Sequence, residues 1–162
     1  MKFIVKLLFL TPFIWVDATA QDNINPASKT YQIAVNKKLN ITNENDNRII
    51  EVVDGSLAVF SYVFKHAETA EIADDELIET IRFEINPNWT NFIFRKKLQM
   101  ANPVYTQQCY CTGRGHHIPK SGYIKGVKNK NGTYTIEGTL VIEFENKVQK
   151  SITFKGNFSV AN

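Results

Sequence analysis

The sequence predicts an all-β fold, a single antiparallel β-sandwich or barrel of about nine strands in meander or Greek-key order. Three observations carry the prediction. Near the C-terminus, apolar residues fall on every second position, the spacing of a strand with one wet face. There Tyr134, Ile136, Gly138, Leu140, Ile142 and Phe144 alternate with Thr133, Thr135, Glu137, Thr139 and Glu143. Turn-forming pairs, Asp54-Gly55 and Asn131-Gly132, separate such segments, and they tolerate the positive φ that tight hairpins require. No segment shows a convincing 3.6-residue apolar period of the kind an amphipathic helix needs. Wet faces argue for antiparallel pairing, because parallel strands covered on both sides read as continuous apolar runs.

The chain opens on a segment that reads as a secretory signal. Lys2 and Lys6 lead into an apolar run from Leu7 to Val16, and Ala18-Thr19-Ala20 has the small-x-small form of a cleavage site. Residues 1–20 are expected to be removed, leaving one domain over 21–162 that starts at Gln21 and is secreted or periplasmic. The run is about half of the roughly 20 apolar residues that a membrane helix needs, so no transmembrane segment is expected. A domain of this size, roughly 150 residues, can bury its own core.

The strands follow in order. Tyr31 to Leu39 is a possible first strand, and "NENDNR" at 43–48 reads as a solvated turn. A calcium loop would use Asn43, Asn45 and Asn47, but Arg48 stands where glycine is needed. Ile49 to Val53 and Leu57 to Phe64 are expected to form a hairpin about Asp54-Gly55. The second of these is apolar at nearly every position, which suits a strand covered on both faces or one wall of an internal pocket. "HAETAEIADDE" at 66–76 collects five acids around His66 and reads as a wet loop. Leu77 to Ile85 alternates, Asn86-Pro87-Asn88 turns the chain, and Phe92 to Phe94 precedes the basic Arg95-Lys96-Lys97. Val104 to Cys111, Tyr123 to Val127, the strand from Thr133 and Ile152 to Val160 complete the set.

"CYCTGRGHH", residues 109–117, holds both cysteines and two of the three histidines. As a hairpin tip it would place Cys109 and Cys111 on one face of a strand and bring His116 or His117 back beside them. Three chemistries fit those residues. An exported pair of cysteines normally forms a disulfide. Yet alternate residues of a regular strand have Cα atoms about 6.6 Å apart, so a Cys109–Cys111 bridge requires a kink. The thiols could also stay free or join a partner. Two sulfurs with the imidazoles of His116 and His117 would suit zinc or copper, with His66 as another candidate ligand.

Function is less legible than fold. The net charge of +3 is too small to argue for nucleic acid. Arg95, Lys96, Lys97, Arg114, Lys120, Lys125, Lys128 and Lys130 could form an anion-binding edge, or they could only discourage sheet-to-sheet association. Asn40, Asn88, Asn131 and Asn157 head N-x-Ser/Thr sites. There is no nucleophile elbow, zincin helix or phosphate-cradling loop. The expected role is therefore a binding or interaction module for a protein, glycan or small molecule rather than an enzyme. One alternative is a metal-binding or thiol-redox protein built on the Cys-x-Cys hairpin. Another is a carrier whose lipocalin-like cavity is lined by Phe60, Tyr62, Phe64, Phe83 and Phe94, an analogy of architecture only.

Overall fold

The computed structural model describes residues 24–44, 47–69 and 76–160. The expected signal segment with its Gln21 start, residues 45–46 of the first turn and 70–75 of the acidic run lie outside the described residues. The strands are β1 (Ile24–Asn25), β2 (Ser28–Glu44), β3 (Asn47–Lys65), β4 (Glu68–Thr69), β5 (Ile78–Ile85), β6 (Asn91–Phe94), β7 (Val104–Gln108), β8 (Gly115–His117), β9 (Ser121–Lys128), β10 (Tyr134–Glu143) and β11 (Gln149–Val160). A short 3-10 turn spans Leu98–Ala101. No helix among the described residues is long and apolar enough to cross a membrane.

The fold is all-β. Nine strands make one sheet in the order β6-β9-β10-β11-β2-β3-β5-β7-β8, which does not close, and β1 pairs with β4 apart from it. The expectation of a wholly antiparallel sheet is corrected at one seam, where β11 and β2 run parallel over Ser159↔Gln32 and Val160↔Ile33. Hairpins force antiparallel pairing only between strands they join, and these two are far apart in sequence.

The alternation near the C-terminus sets the core. Tyr134, Ile136, Leu140, Ile142, Ile152, Phe154 and Phe158 are buried, while Thr135, Ser151, Thr153 and Lys155 are exposed. The sheet curls so that this face meets the rings of β3 and β5. Phe60 stands edge-on to Tyr134 at 5.1 Å and stacks on Phe83 at 5.4 Å, and Phe83 lies 6.0 Å from Phe154. Phe60, Tyr62, Phe83 and Phe94 thus join one packed core, with Phe64 partly buried against it. The expected Asn131-Gly132 hairpin is present, with Tyr134 opposite Lys128 and Gly132 at φ 83°.

Asp54-Gly55 does not turn the chain. β3 runs straight through it, and β2 and β3 pair from Ser28↔Lys65 to Glu44↔Asn47. What the pair makes is a bulge: Lys37 faces both Asp54 and Leu57, Asn36 sits at φ 56°, and Lys37 Nζ binds Asp54 at 2.6 Å. A bulge adds a residue on one strand and bends it, and here it also exchanges faces. Ile33 and Leu39 share parity, yet Ile33 joins the main core while Leu39 packs with Val59 and Val104 on the opposite side. The distal half of the β2–β3 arm therefore lies across the outer face of the sheet. Glu84 accepts the Leu39 backbone N–H, and Arg48 donates to the His116 carbonyl at 2.9 Å. Val59, on the outer face of the apolar stretch Leu57 to Phe64, is buried for this reason.

Candidate functional site

β7 ends at Gln108, three residues earlier than the alternation suggests. Cys109, Tyr110 and Cys111 form a bend, and β8 returns with Tyr105↔His117, Thr106↔His116 and Gln107↔Gly115. The expected hairpin tip, which would set His116 or His117 beside the thiols, is thus corrected to a longer loop over 108–114. The bend draws the Cys109 and Cys111 Cα atoms to 5.2 Å, with the sulfurs in bonding contact as a close pair. Cys109 is half-buried and Cys111 is exposed. Tyr110 between them is 83% exposed.

The histidines do not join the sulfurs. Adjacent residues of a strand point to opposite faces, so His116 and His117 part company on β8. His117 Nε2 donates to the Gly113 carbonyl at 2.9 Å, and its ring stands edge-on to Phe144 at 4.9 Å. Gly113 lies at φ 90° against that same Phe144 ring, where a side chain would be strained. His116 turns outward, with Nδ1 hydrogen-bonded to Thr106 Oγ1 at 2.8 Å. Burial, then the charges of Arg82 and Arg48, push its pKa below the ordinary imidazole value. Among the described residues, no three His, Cys, Asp or Glu side chains gather to hold a metal ion. The zinc or copper set of Cys109, Cys111, His116 and His117 is therefore not assembled.

Beneath the loop runs a polar network that the motifs did not reveal. Gln107, buried on the inner face of β7, points Nε2 at Cys111 Sγ (3.1 Å) and Cys109 Sγ (3.5 Å). Its Oε1 lies 2.7 Å from the hydroxyl of the fully buried Tyr105, which is also 2.7 Å from Glu79 Oε1. Lys150 donates to Glu79 Oε1 at 2.6 Å, and His66 Nε2 meets Oε2 at 2.7 Å. Burial works against the Glu79 carboxylate, but the hydrogen bonds from Lys150, Tyr105 and His66 outweigh it and hold the carboxyl below its usual range. The same environment pushes the Tyr105 hydroxyl far upward, burial first and Glu79 second, so it remains a protonated donor.

A signal for this network was present. Glu79 shares parity with Ile81, Phe83 and Ile85, Gln107 with Tyr105, and Lys150 with Ile152 and Phe154. A polar residue on the apolar parity at a strand end marks the place where a core stops being dry.

The basic positions do not form one surface. Lys120 pairs with Glu143, and Lys125 with Glu137 at 2.8 Å, while Arg114 lies beside the cysteines in a pocket of about 470 Å³. Arg95, Lys96 and Lys97 line a larger cavity of about 720 Å³ along β6, with Trp89, Ile93 and Met100. Those three apolar side chains are 39%, 67% and 63% exposed, and Phe92 and Phe94 close the floor. Among the described residues, β6 is the end strand of the sheet and pairs with β9 alone.

No protein-family model matches the chain, and no curated protein or solved structure matches it either.

Proposed function

We propose that this is an exported binding module, an open barrel whose free β6 edge receives an extended, acidic and apolar segment of a partner protein. The observation that supports it is the β6 groove: three exposed apolar side chains meet in one concavity beside a strand edge that no described strand covers. Contiguous exposed apolar surface at an edge is a site for strand addition, in which main-chain hydrogen bonds give affinity and side-chain pockets give selectivity. Edge protection would place lysines within the strand. Here the cations follow it at Arg95-Lys96-Lys97 while Ile93 occupies the strand itself, an arrangement that selects an acidic flank and leaves the backbone accessible.

Short peptides of alternating valine and glutamate, compared with valine and lysine, test the reading by fluorescence anisotropy. The acidic peptide should bind saturably, and Ile93→Asp should weaken it by about tenfold or more, equivalent to about 1.4 kcal/mol. A Lys96→Glu/Lys97→Glu double variant should reverse the preference. Absence of saturable binding, or binding indifferent to Ile93→Asp, would overturn the proposal. So would cosedimentation with anionic vesicles that Ile93→Asp abolishes, since the face would then contact lipid. Export carries its own expectation. Intact-mass measurement of protein recovered outside the cytoplasm should give a chain starting at Gln21, and a chain retaining Met1 to Ala20 would refute the signal.

A further inference from the structure

We propose that Cys109 and Cys111 form a disulfide that undergoes thiol exchange, with exposed Cys111 as the sulfur attacked and Gln107 as the group that receives the departing Cys109 thiolate. This stands apart from the β6 groove and does not depend on it.

The first argument is what the bridge does not do. Loop-closure stabilisation grows with the length of chain enclosed, and a Cys-x-Cys bridge encloses almost none. It follows the end of β7 and links no second strand, so a staple is a poor account of it. Access is the second argument. Cys111 is exposed beside a pocket shared with Tyr110, Thr112 and Arg114, and a guanidinium there attracts an anionic thiolate.

The third argument is the orientation of the Gln107 amide. Tyr105 has one hydroxyl proton and two acceptors within 2.7 Å, Glu79 Oε1 and Gln107 Oε1. The ionised Glu79 carboxylate is the stronger acceptor and takes that proton. The Gln107 amide turns its N–H groups toward both sulfurs, with Nε2 3.1 Å from Cys111 Sγ and 3.5 Å from Cys109 Sγ. A neutral disulfide is a weak acceptor, whereas a thiolate accepts a charge-assisted hydrogen bond. The donor therefore favours the state in which the S–S bond has broken.

The exchange balances with an external dithiol as reductant. Its thiolate attacks Cys111 Sγ and forms a mixed disulfide, while the electron pair of the broken bond leaves on Cys109 Sγ, which takes a proton from water. The second thiol of the reductant, deprotonated, then displaces Cys111 Sγ, which leaves as a thiolate and likewise takes a proton from water. The reductant departs as a disulfide, having lost two electrons, and the chain keeps two thiols.

Maleimide labelling and stopped-flow reduction by dithiothreitol test this on the full chain. Protein isolated without reductant should take no label, and two labels after mild reduction. The Cys109→Ser variant should form a mixed disulfide with oxidised glutathione at Cys111, faster than Cys111→Ser does at Cys109. Gln107→Met and the near-isosteric Gln107→Glu should each slow reduction by about tenfold, equivalent to about 1.4 kcal/mol, with circular dichroism unchanged. Two labels before reduction, preferred capture at Cys109, or wild-type reduction rates in a folded Gln107 variant would each overturn the proposal.

Discussion

Truncation of Phe154 to Ala is expected to lower the unfolding free energy by about 3 to 5 kcal/mol, whereas Thr153→Ala should stay within about 0.5 kcal/mol. The two residues are neighbours on β11 and differ in face. Phe154 is 2% exposed and touches Tyr62 and Phe83 by its ring, at 5.7 and 6.0 Å. Thr153 is exposed and shares one hydroxyl contact with Thr139 at 3.1 Å. The backbone makes the Phe154 site hard to refill. Gly138 is its partner across β10, and a Cβ there would stand 2.7 Å from the ring. The ring covers a position that has no side chain of its own, so the residue opposite it cannot fill the space that truncation leaves, and the cost of a cavity rises with its residual volume. Urea denaturation of both variants decides it. Equal losses at the two positions would mean that β11 is out of register, because a one-residue slip exchanges the faces.

The same parity shows how far the sequence could be read. Alternation is local, so β10 and β11 were legible from their own residues, as was the turn at Asn131-Gly132. Asp54-Gly55 misled because a bulge stands where the turn was expected, and the positive φ there belongs to Asn36 on the facing strand. Only the pairing of Lys37 with both Asp54 and Leu57 distinguishes the two, and that pairing is a long-range fact. The loop at 109–117 misled for a related reason. Continued alternation through Cys109 and Cys111 was compatible with a strand, while the early end of β7 depends on where β8 comes back. Cys109 and Cys111 could be read as a pair, but the polar groups beneath them could not be assembled. Glu79, Tyr105, Gln107 and Lys150 arrive from three strands, and His66 from the segment after β3. Each is an ordinary polar or aromatic residue until the sheet brings it into contact.

Replacing Glu79 with Leu is the second large effect, an expected loss of about 3 kcal/mol at neutral pH, the lower end of the range for removing one partner of a buried pair. The lower end applies because the partners are unequally trapped. Lys150 and His66 have side chains 37% and 36% exposed and can turn to water, and buried Tyr105 keeps Gln107 as an acceptor. The pH dependence distinguishes a lost charge from a lost shape. Hydrogen bonds from Lys150, Tyr105 and His66 hold the Glu79 carboxyl below its ordinary value of 4.5 against the opposing effect of burial. A depressed folded-state pKa means that the unfolded chain binds the proton first on acidification. The stabilisation is therefore fully present above about pH 4.5, the unfolded value, and declines as the pH falls through the folded one. Wild type should lose stability over that acid range, and the Glu79→Leu curve should be flatter, so that the gap between them narrows from neutral pH to about pH 3. Urea midpoints across that range measure it. A gap that stays constant would show that Glu79 acts through packing alone, and the hydrogen bonds that Lys150, Tyr105 and His66 give its carboxylate would carry no stability.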